Sequence, residues 1–363
     1  MHSAEEIADF VKQGAQRAVP VGGRTKWVDG VSAEITPLNM RQLTGIVEYE
    51  PDEYTITAKA GTPLKTVVAA LAEHGQYMPF DPLLVAAGAT IGGTVAANAS
   101  GSGRFRYGGV RDFMLGVRFV DGVGNLVRGG GKVVKNASGF DLPKFMVGSL
   151  GRYGILTEVT IKVFPKPAHY RTLELSFATL RTALNGTFSL ANQPFEMDAL
   201  DLRPTPTPSN PSNATMWIRL GGLPTSLPNR IKRLSAWLAA NTALQTIQTL
   251  DADDAHWAAI NQIAWAKDAP NLIKIPVPPK KLLALNACKE IKRAHYYAAG
   301  NVALVTVETQ ALAAFAAALT ALKLSGHLLR GTASHPHLGH RPWLPLAKRV
   351  KQALDPNHQF LDI

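Results

Sequence analysis

Alternation of polar and apolar positions marks out the chain's elements before any chemistry is considered. The opening segment predicts a helix, with Ser3 and Glu6 spaced as a capping box. Ala18-Val19-Pro20-Val21 predicts a short strand running into the glycine loop Gly22-Gly23-Arg24-Thr25-Lys26. A helix is expected near Leu38 to Glu50, and Tyr54 to Ala58 alternates as a strand. Thr62-Pro63 predicts another helix start, Thr62 at the N-cap and Pro63 in the first turn, with Gly75 at the end. Met114–Phe119 and Asn125–Arg128 flank Asp121-Gly122 as a hairpin. Ile155–Val163 is a β-branched strand halted by Pro165 and Pro167. Beyond it, Met216–Leu220, Leu272–Val277 and Val302–Val307 predict strands, and Arg230–Ala240, Gln310–Leu322 and Pro345–Leu354 predict helices.

Residues 79 to 110 break this pattern. They are rich in Gly, Ala, Ser and Thr and poor in large apolar side chains, so they suit backbone wrapped around a bound group better than a core strand pair. With 363 residues the chain exceeds one ordinary core. The expected division is an α+β chain: 1–167, a smaller α+β domain over 168–330, and a C-terminal arm over 331–363.

The charge balance, 38 Lys plus Arg against 27 Asp plus Glu, gives +11 and favours anionic partners without choosing among them. Nucleic acid is not favoured, because basic patches interleaved with aromatics are lacking. The single cysteine, Cys288, excludes an internal disulfide and a cysteine-ligated zinc or iron–sulfur centre, and predicts a reduced, cytoplasmic protein. Glu5, Glu6 and Asp9 do not suit a signal peptide, and the apolar run from Ala311 to Leu322 is shorter than the ~20 residues of a membrane span, so membrane contact is expected only peripherally.

The familiar nucleotide and hydrolase signatures are missing: there is no G-x-G-x-x-G, and Val133 follows Gly131-Lys132 where a P-loop has Ser or Thr. Nor is there a G-x-S-x-G elbow or an H-E-x-x-H pair. Instead, glycine-rich pieces recur in order. The first is residues 22–26. The second holds Asp81-Pro82, Thr90-Ile91-Gly92-Gly93, Ala97-Asn98 and Gly101, and continues through Arg106-Tyr107-Gly108-Gly109 to Asp112. The third holds Lys135-Asn136-Ala137-Ser138-Gly139-Phe140-Asp141-Leu142 and Gly148-Ser149-Leu150-Gly151-Arg152-Tyr153-Gly154-Ile155-Leu156-Thr157. Glycines let backbone N–H groups close on a pyrophosphate, and Arg24, Lys26, Thr25 and Thr90 add charge and hydroxyls.

These residues resemble the FAD-binding domain of the vanillyl-alcohol-oxidase/PCMH flavoproteins, over residues 15 to 167. The resemblance implies a domain of two α/β subdomains that binds FAD. It implies that Gly22, Gly23, Arg24, Thr25 and Lys26, with Thr90, Ile91, Gly92 and Gly93, cradle the pyrophosphate, and that Pro82 belongs to the same site. Ala97, Asn98, Gly101, Tyr107 and Gly108 are expected along the ribityl chain and flavin ring, and Gly151, Gly154 and Ile155 at the adenosine end. Many relatives bond flavin through a histidine in the first loop; none stands between His2 and His74, so non-covalent FAD is expected. Arg24 and Arg152-Tyr153 depart from the smaller residues usual at these positions.

Within that family the chain is most similar to the smaller FAD-binding subunits of glycolate oxidases. The likeness implies oxidation of a 2-hydroxy acid beside a second flavoprotein subunit and an iron–sulfur subunit. His327 is the expected base and Arg330 the expected carboxylate partner. Two alternatives stay open: a non-catalytic electron-relay or assembly subunit, and a standalone oxidoreductase of another acid such as D-lactate. Residues 323–351 hold Lys, Arg and His without Asp or Glu, read as a solvated basic face. Ser334-His335-Pro336-His337 with His340 is read as a surface loop, not a metal site.

Overall fold

The computed structural model describes residues 1–14, 16–30, 35–131, 140–251, 253–333 and 335–362. The chain divides into two compact units, 1–101 with 108–166 and 341–363, and 102–107 with 167–340. Residues 331–363, expected as one arm, are therefore shared between the units at His340. Lys135 to Gly139 of the third glycine-rich piece, and Ser334, lie outside the described residues.

The first unit opens with helix Ala4–Gln13. Ser3 Oγ accepts from Glu6 N at 3.1 Å, but the Glu6 carboxylate takes the N–H of His2, so the capping box is half formed. The helix buries Ile7, Ala8 and Val11 in a core with Leu38, Val120, Ile155 and Phe360. Strands Ala18–Val21 and Thr36–Asn39 pair in parallel. A five-stranded antiparallel sheet runs in the order Ile46–Glu50, Thr55–Lys59, Ile155–Lys162, Met114–Val120, Leu126–Gly130. The Asp121 carboxylate shapes the expected hairpin, accepting from the N–H groups of Val123 and Asn125 at 3.0 and 2.8 Å.

Two local expectations are corrected. Residues 38–50 are not a helix: Thr36–Asn39, a 3₁₀ turn Met40–Gln42 and Ile46–Glu50 occupy the stretch, because both flanking strands find ladder partners. Thr62 does not cap the next helix. Helix Leu64–Glu73 has Pro63 at the N-cap, and Thr62 Oγ1 donates instead toward the carbonyls of Lys59 (2.7 Å) and Gly45 (3.1 Å).

Helix Leu344–Leu354 returns to the first unit, where buried Lys351 is its staple. Its ammonium donates to Asp355 Oδ2 at 2.5 Å and to the carbonyls of Arg152 and Leu361, both at 2.8 Å. Three acceptors offset the desolvation of that charge.

The second unit is built on an antiparallel sheet running Leu244–Thr249, His169–Phe177, Ala214–Gly222, Ala199–Pro204, Ile291–Tyr297, Val302–Val307, Asn271–Pro276, Ser325–Thr332, His337–Gly339. Leu173, Leu175 and Phe177 are buried among these strands, and helices Leu180–Leu190 and Leu227–Asn241 pack on the strand that carries them. At the seam between Ala199–Pro204 and Ile291–Tyr297 the ladder thins to one pair, Leu202 with Tyr296. Side chains take over the pairing there.

Candidate functional site

Close backbone approach brings the glycine-rich pieces of the first unit together. A Cβ on Gly23 would sit 1.8 Å from the Gly88 carbonyl oxygen, and one on Gly22 2.4 Å from Thr90 Oγ1. Only glycine lets the 22–23 turn lie against residues 88–90. Thr90 caps the short helix Ile91–Ala96, its Oγ1 accepting from Gly93 N at 3.3 Å. The third piece lies against that helix: Gly148 N donates to the Val95 carbonyl and Leu150 N to that of Ala96, both at 3.0 Å. Gly151, at φ +73°, passes beside Pro20, which closes the circuit back to the first strand. Each piece carries non-glycine residues in the left-handed region, Arg24 (φ 52°) in the first, Asp81 (48°) and Asn98 (48°) in the second and Leu150 (55°) in the third, a strain the surrounding packing must offset.

The residues gathered here fit a dinucleotide flavin cofactor. Thr94, Ser149 and Thr157 are each 1% exposed, and their hydroxyl oxygens are buried without a hydrogen-bond partner among the described residues. Unpartnered buried hydroxyls are costly, and a polar ligand within reach would offset that cost. A cleft of 290 Å³ opens beside the first loop, lined by Val21, Gly22, Gly23, Arg24, Pro37, Asn39 and Arg41. Its two arginines and bare glycine backbone suit a pyrophosphate. Lys26, which donates to Thr25 Oγ1 at 3.1 Å, has its pKa lowered to about 8 by desolvation, and an anion nearby would raise it again.

The remaining expected contacts divide between the units. Pro82 bridges Ser100, Gly101 N donates to the Asp81 carbonyl at 2.7 Å, and Gly108 turns at φ +86°, all in the first unit with Ala97 and Ile155. Gly154 has Phe119 and the Val120 carbonyl where a Cβ would go. Tyr107 belongs to residues 102–107 of the second unit, and its hydroxyl donates to Asp198 Oδ1 at 2.8 Å. Arg152, flagged as unusual, is buried; its Nε donates to the Ser149 carbonyl at 3.2 Å, and burial lowers it to about 10.

His327 and Arg330 lie on strand Ser325–Thr332 of the second unit. His327 stands opposite Lys274, its ring 5.2 Å from that of His337, and Arg330 donates to the Ala266 carbonyl at 2.6 Å. Among the described residues no group of three His, Cys, Asp or Glu could hold a metal. Sequence reading gave no role to Thr94, Ser149, Thr157 or Arg41, although Ser149 and Thr157 stand in the third glycine-rich piece, and it missed a polar cluster at the sheet seam around Asp201, Arg203 and His295.

Residues 1–130 match the family described as FAD binding domain. This chain carries an FAD-binding domain of the PCMH type. The FAD-domain chain is 42% identical to glycolate oxidase subunit GlcE of Escherichia coli (strain K12) over 222 residues, covering 60% of this chain and 61% of that protein. It is 31% identical over 200 residues to a D-lactate dehydrogenase of Archaeoglobus fulgidus, 54% of this chain and 44% of that one. Glycolate oxidase subunit GlcD of Bacillus subtilis (strain 168) is 34% identical over 136 residues, 38% of this chain and 29% of that one. The matches thus span less than two thirds of each of these relatives. In fold, the chain is like a solved alkyldihydroxyacetonephosphate synthase, with a TM-score of 0.71 at 16% identity over 99% of this chain and 75% of that one. Among the described residues no helix is long and apolar enough to cross a membrane.

Proposed function

We propose that this chain is an FAD-linked oxidoreductase subunit of the glycolate-oxidase type, acting on a small 2-hydroxy acid. The observation that carries the reading is the close approach of the 22–24, 88–93 and 148–151 segments beside a cleft lined by Gly22, Gly23, Arg24 and Arg41. The named relatives supply the class of acid. FAD, when bound, supplies the two-electron acceptor for a hydride leaving the α-carbon, so that the 2-hydroxy acid becomes a 2-oxo acid. The protein's share is to hold the cofactor, to orient the acid and to take the hydroxyl proton. His327 is the proposed base and Arg330 belongs to the same polar strand. With no histidine between His2 and His74 and Cys288 in the second unit, the cofactor is held non-covalently. The subunit names of the relatives GlcE and GlcD support work within a multi-subunit assembly; a second flavoprotein subunit, an iron–sulfur subunit and a place in the cytoplasm or on the membrane's inner face are part of the same proposal.

Purified protein should be yellow and release its flavin into the supernatant on acid precipitation. Anaerobic addition of glycolate or D-lactate should bleach the flavin bands. A colourless protein overturns the cofactor assignment. A yellow protein that no 2-hydroxy acid bleaches, alone or with its partner subunits, overturns the oxidation and leaves a relay subunit.

A further inference from the structure

Two arginines on strands of the second unit lie over aromatic rings, and only one of them has a carboxylate within ion-pair distance. Arg219 lies 3.8 Å over Tyr170 and pairs with Asp253 (2.6 Å) and Asp254 (2.9 Å). The Arg203 guanidinium lies 5.2 and 5.6 Å from the ring centres of Trp217 and Trp265. Its Nε donates to His295 Nδ1 at 3.0 Å, and among the described residues no carboxylate lies within ion-pair distance of it.

The nearest candidate, Asp201, is already engaged. Guanidinium Nε can only donate, so His295 Nδ1 is the acceptor and the ring proton is on Nε2. That proton goes to Asp201 Oδ2 at 2.9 Å, which also accepts from Ser102 Oγ at 2.5 Å, while Oδ1 accepts from Ala298 N at 3.3 Å. His295 is fully buried and its pKa is lowered to about 4, chiefly by that burial, so it stays neutral; burial lowers the Arg203 pKa, and the Asp201 carboxylate behind the ring, beyond ion-pair distance, is the negative charge that raises it. The outcome is a guanidinium clamped at Nε, beside two indoles and only partly exposed, with both Nη groups left over. A cation so desolvated favours an anion, and two parallel Nη donors match a carboxylate's two oxygens.

We propose that Arg203 anchors a small carboxylate at the seam of the second unit's sheet, its Nη groups taking both oxygens beside Trp217 and Trp265. The identification of that carboxylate as the substrate's rests on the proposed 2-hydroxy-acid reaction; the charge argument does not. Arg203 and His327 stand four strand spacings apart, about 19 Å along the sheet. A two-carbon acid anchored at Arg203 would therefore be out of reach of His327, so Arg203 as substrate anchor and His327 as base exclude each other for such an acid.

The test is calorimetric titration of oxalate into the FAD-loaded chain, its Arg203→Gln and Arg203→Lys variants. Oxalate should bind the unaltered chain, at least tenfold more weakly the glutamine variant, and at intermediate strength the lysine variant, which keeps the charge but not the fork. Ethylene glycol, which lacks a carboxylate, should not bind. No oxalate binding to the unaltered chain, or equal binding to the folded lysine variant, overturns the anchor. Flavin bleaching by glycolate is read separately. Oxalate binding that depends on Arg203 without bleaching keeps the anchor and sinks the oxidation; bleaching with an unchanged KM in Arg203→Lys does the reverse.

Discussion

The two units solve the problem of building a polar site in opposite ways. In the first, the site is made of what is missing: side chains are removed at Gly22, Gly23 and Gly151 so that backbone segments can close on each other. In the second, the site is made of what is added: Asp201, Arg203, His295 and Trp217 come from three strands and fill a seam where the ladder has thinned to one backbone pair. The first kind tolerates no added atom. The second tolerates substitution of an outer member but not loss of the group that satisfies the others.

The largest expected effect is at Gly23. A valine there must displace the Gly88 backbone, so Gly23→Val should abolish flavin binding and cost several kcal/mol, above the usual ~1–3 kcal/mol for overpacking, because backbone rather than a side chain must move. The flavin-to-protein absorbance ratio and a thermal melt check this; a variant that keeps its flavin would break the contrast. Asp201→Ala comes next. It leaves the Ser102 hydroxyl, the His295 Nε2–H and the Ala298 N–H without their buried acceptor, a loss of about 3 kcal/mol by denaturant titration. Flavin content of the folded fraction should hold.

Acid acts on the same seam. His295 is held neutral in the folded state, with its pKa at about 4 against 6.5 for an ordinary imidazole. The unfolded chain therefore binds the extra proton between those values. Stability should be full above about pH 6.5 and fall as pH drops toward 4, with a slope contribution near 1.4 kcal/mol per pH unit. The titratable groups that act on this ring are buried Asp201 and the half-buried Arg203 and His256. His295→Gln should flatten that part of the pH–stability curve, and an unchanged slope would remove the histidine from the account. The smallest effect is at Thr94. Replacing it by valine deletes an unpartnered buried hydroxyl, so the apoprotein should be as stable or slightly more stable, while FAD binding should weaken by about tenfold, the worth of one hydrogen bond to a charged or polar ligand. Parallel melts with and without added FAD separate the two responses.

The sequence by itself determined the cofactor half of the molecule. Glycines at 22, 23, 92 and 151, in order and beside Thr25, Thr90 and Lys26, are legible because backbone approach requires a residue type at a position, and residue type is what a sequence records. It also fixed most strand and helix locations, since period-two and capping signals are local. It misread residues 38–50 and Thr62, where the outcome depended on which distant strand or carbonyl was in reach. Only the tertiary structure decided the second unit's chemistry. Arg203 and Arg219 look alike along the chain, two arginines on apolar strands; what distinguishes them is that Asp253 reaches one while Ser102, His295 and Ala298 absorb the carboxylate nearest the other. That allocation is set by strand order and register, which bring residues 102, 201 and 295 to one point, and no spacing within the chain encodes it.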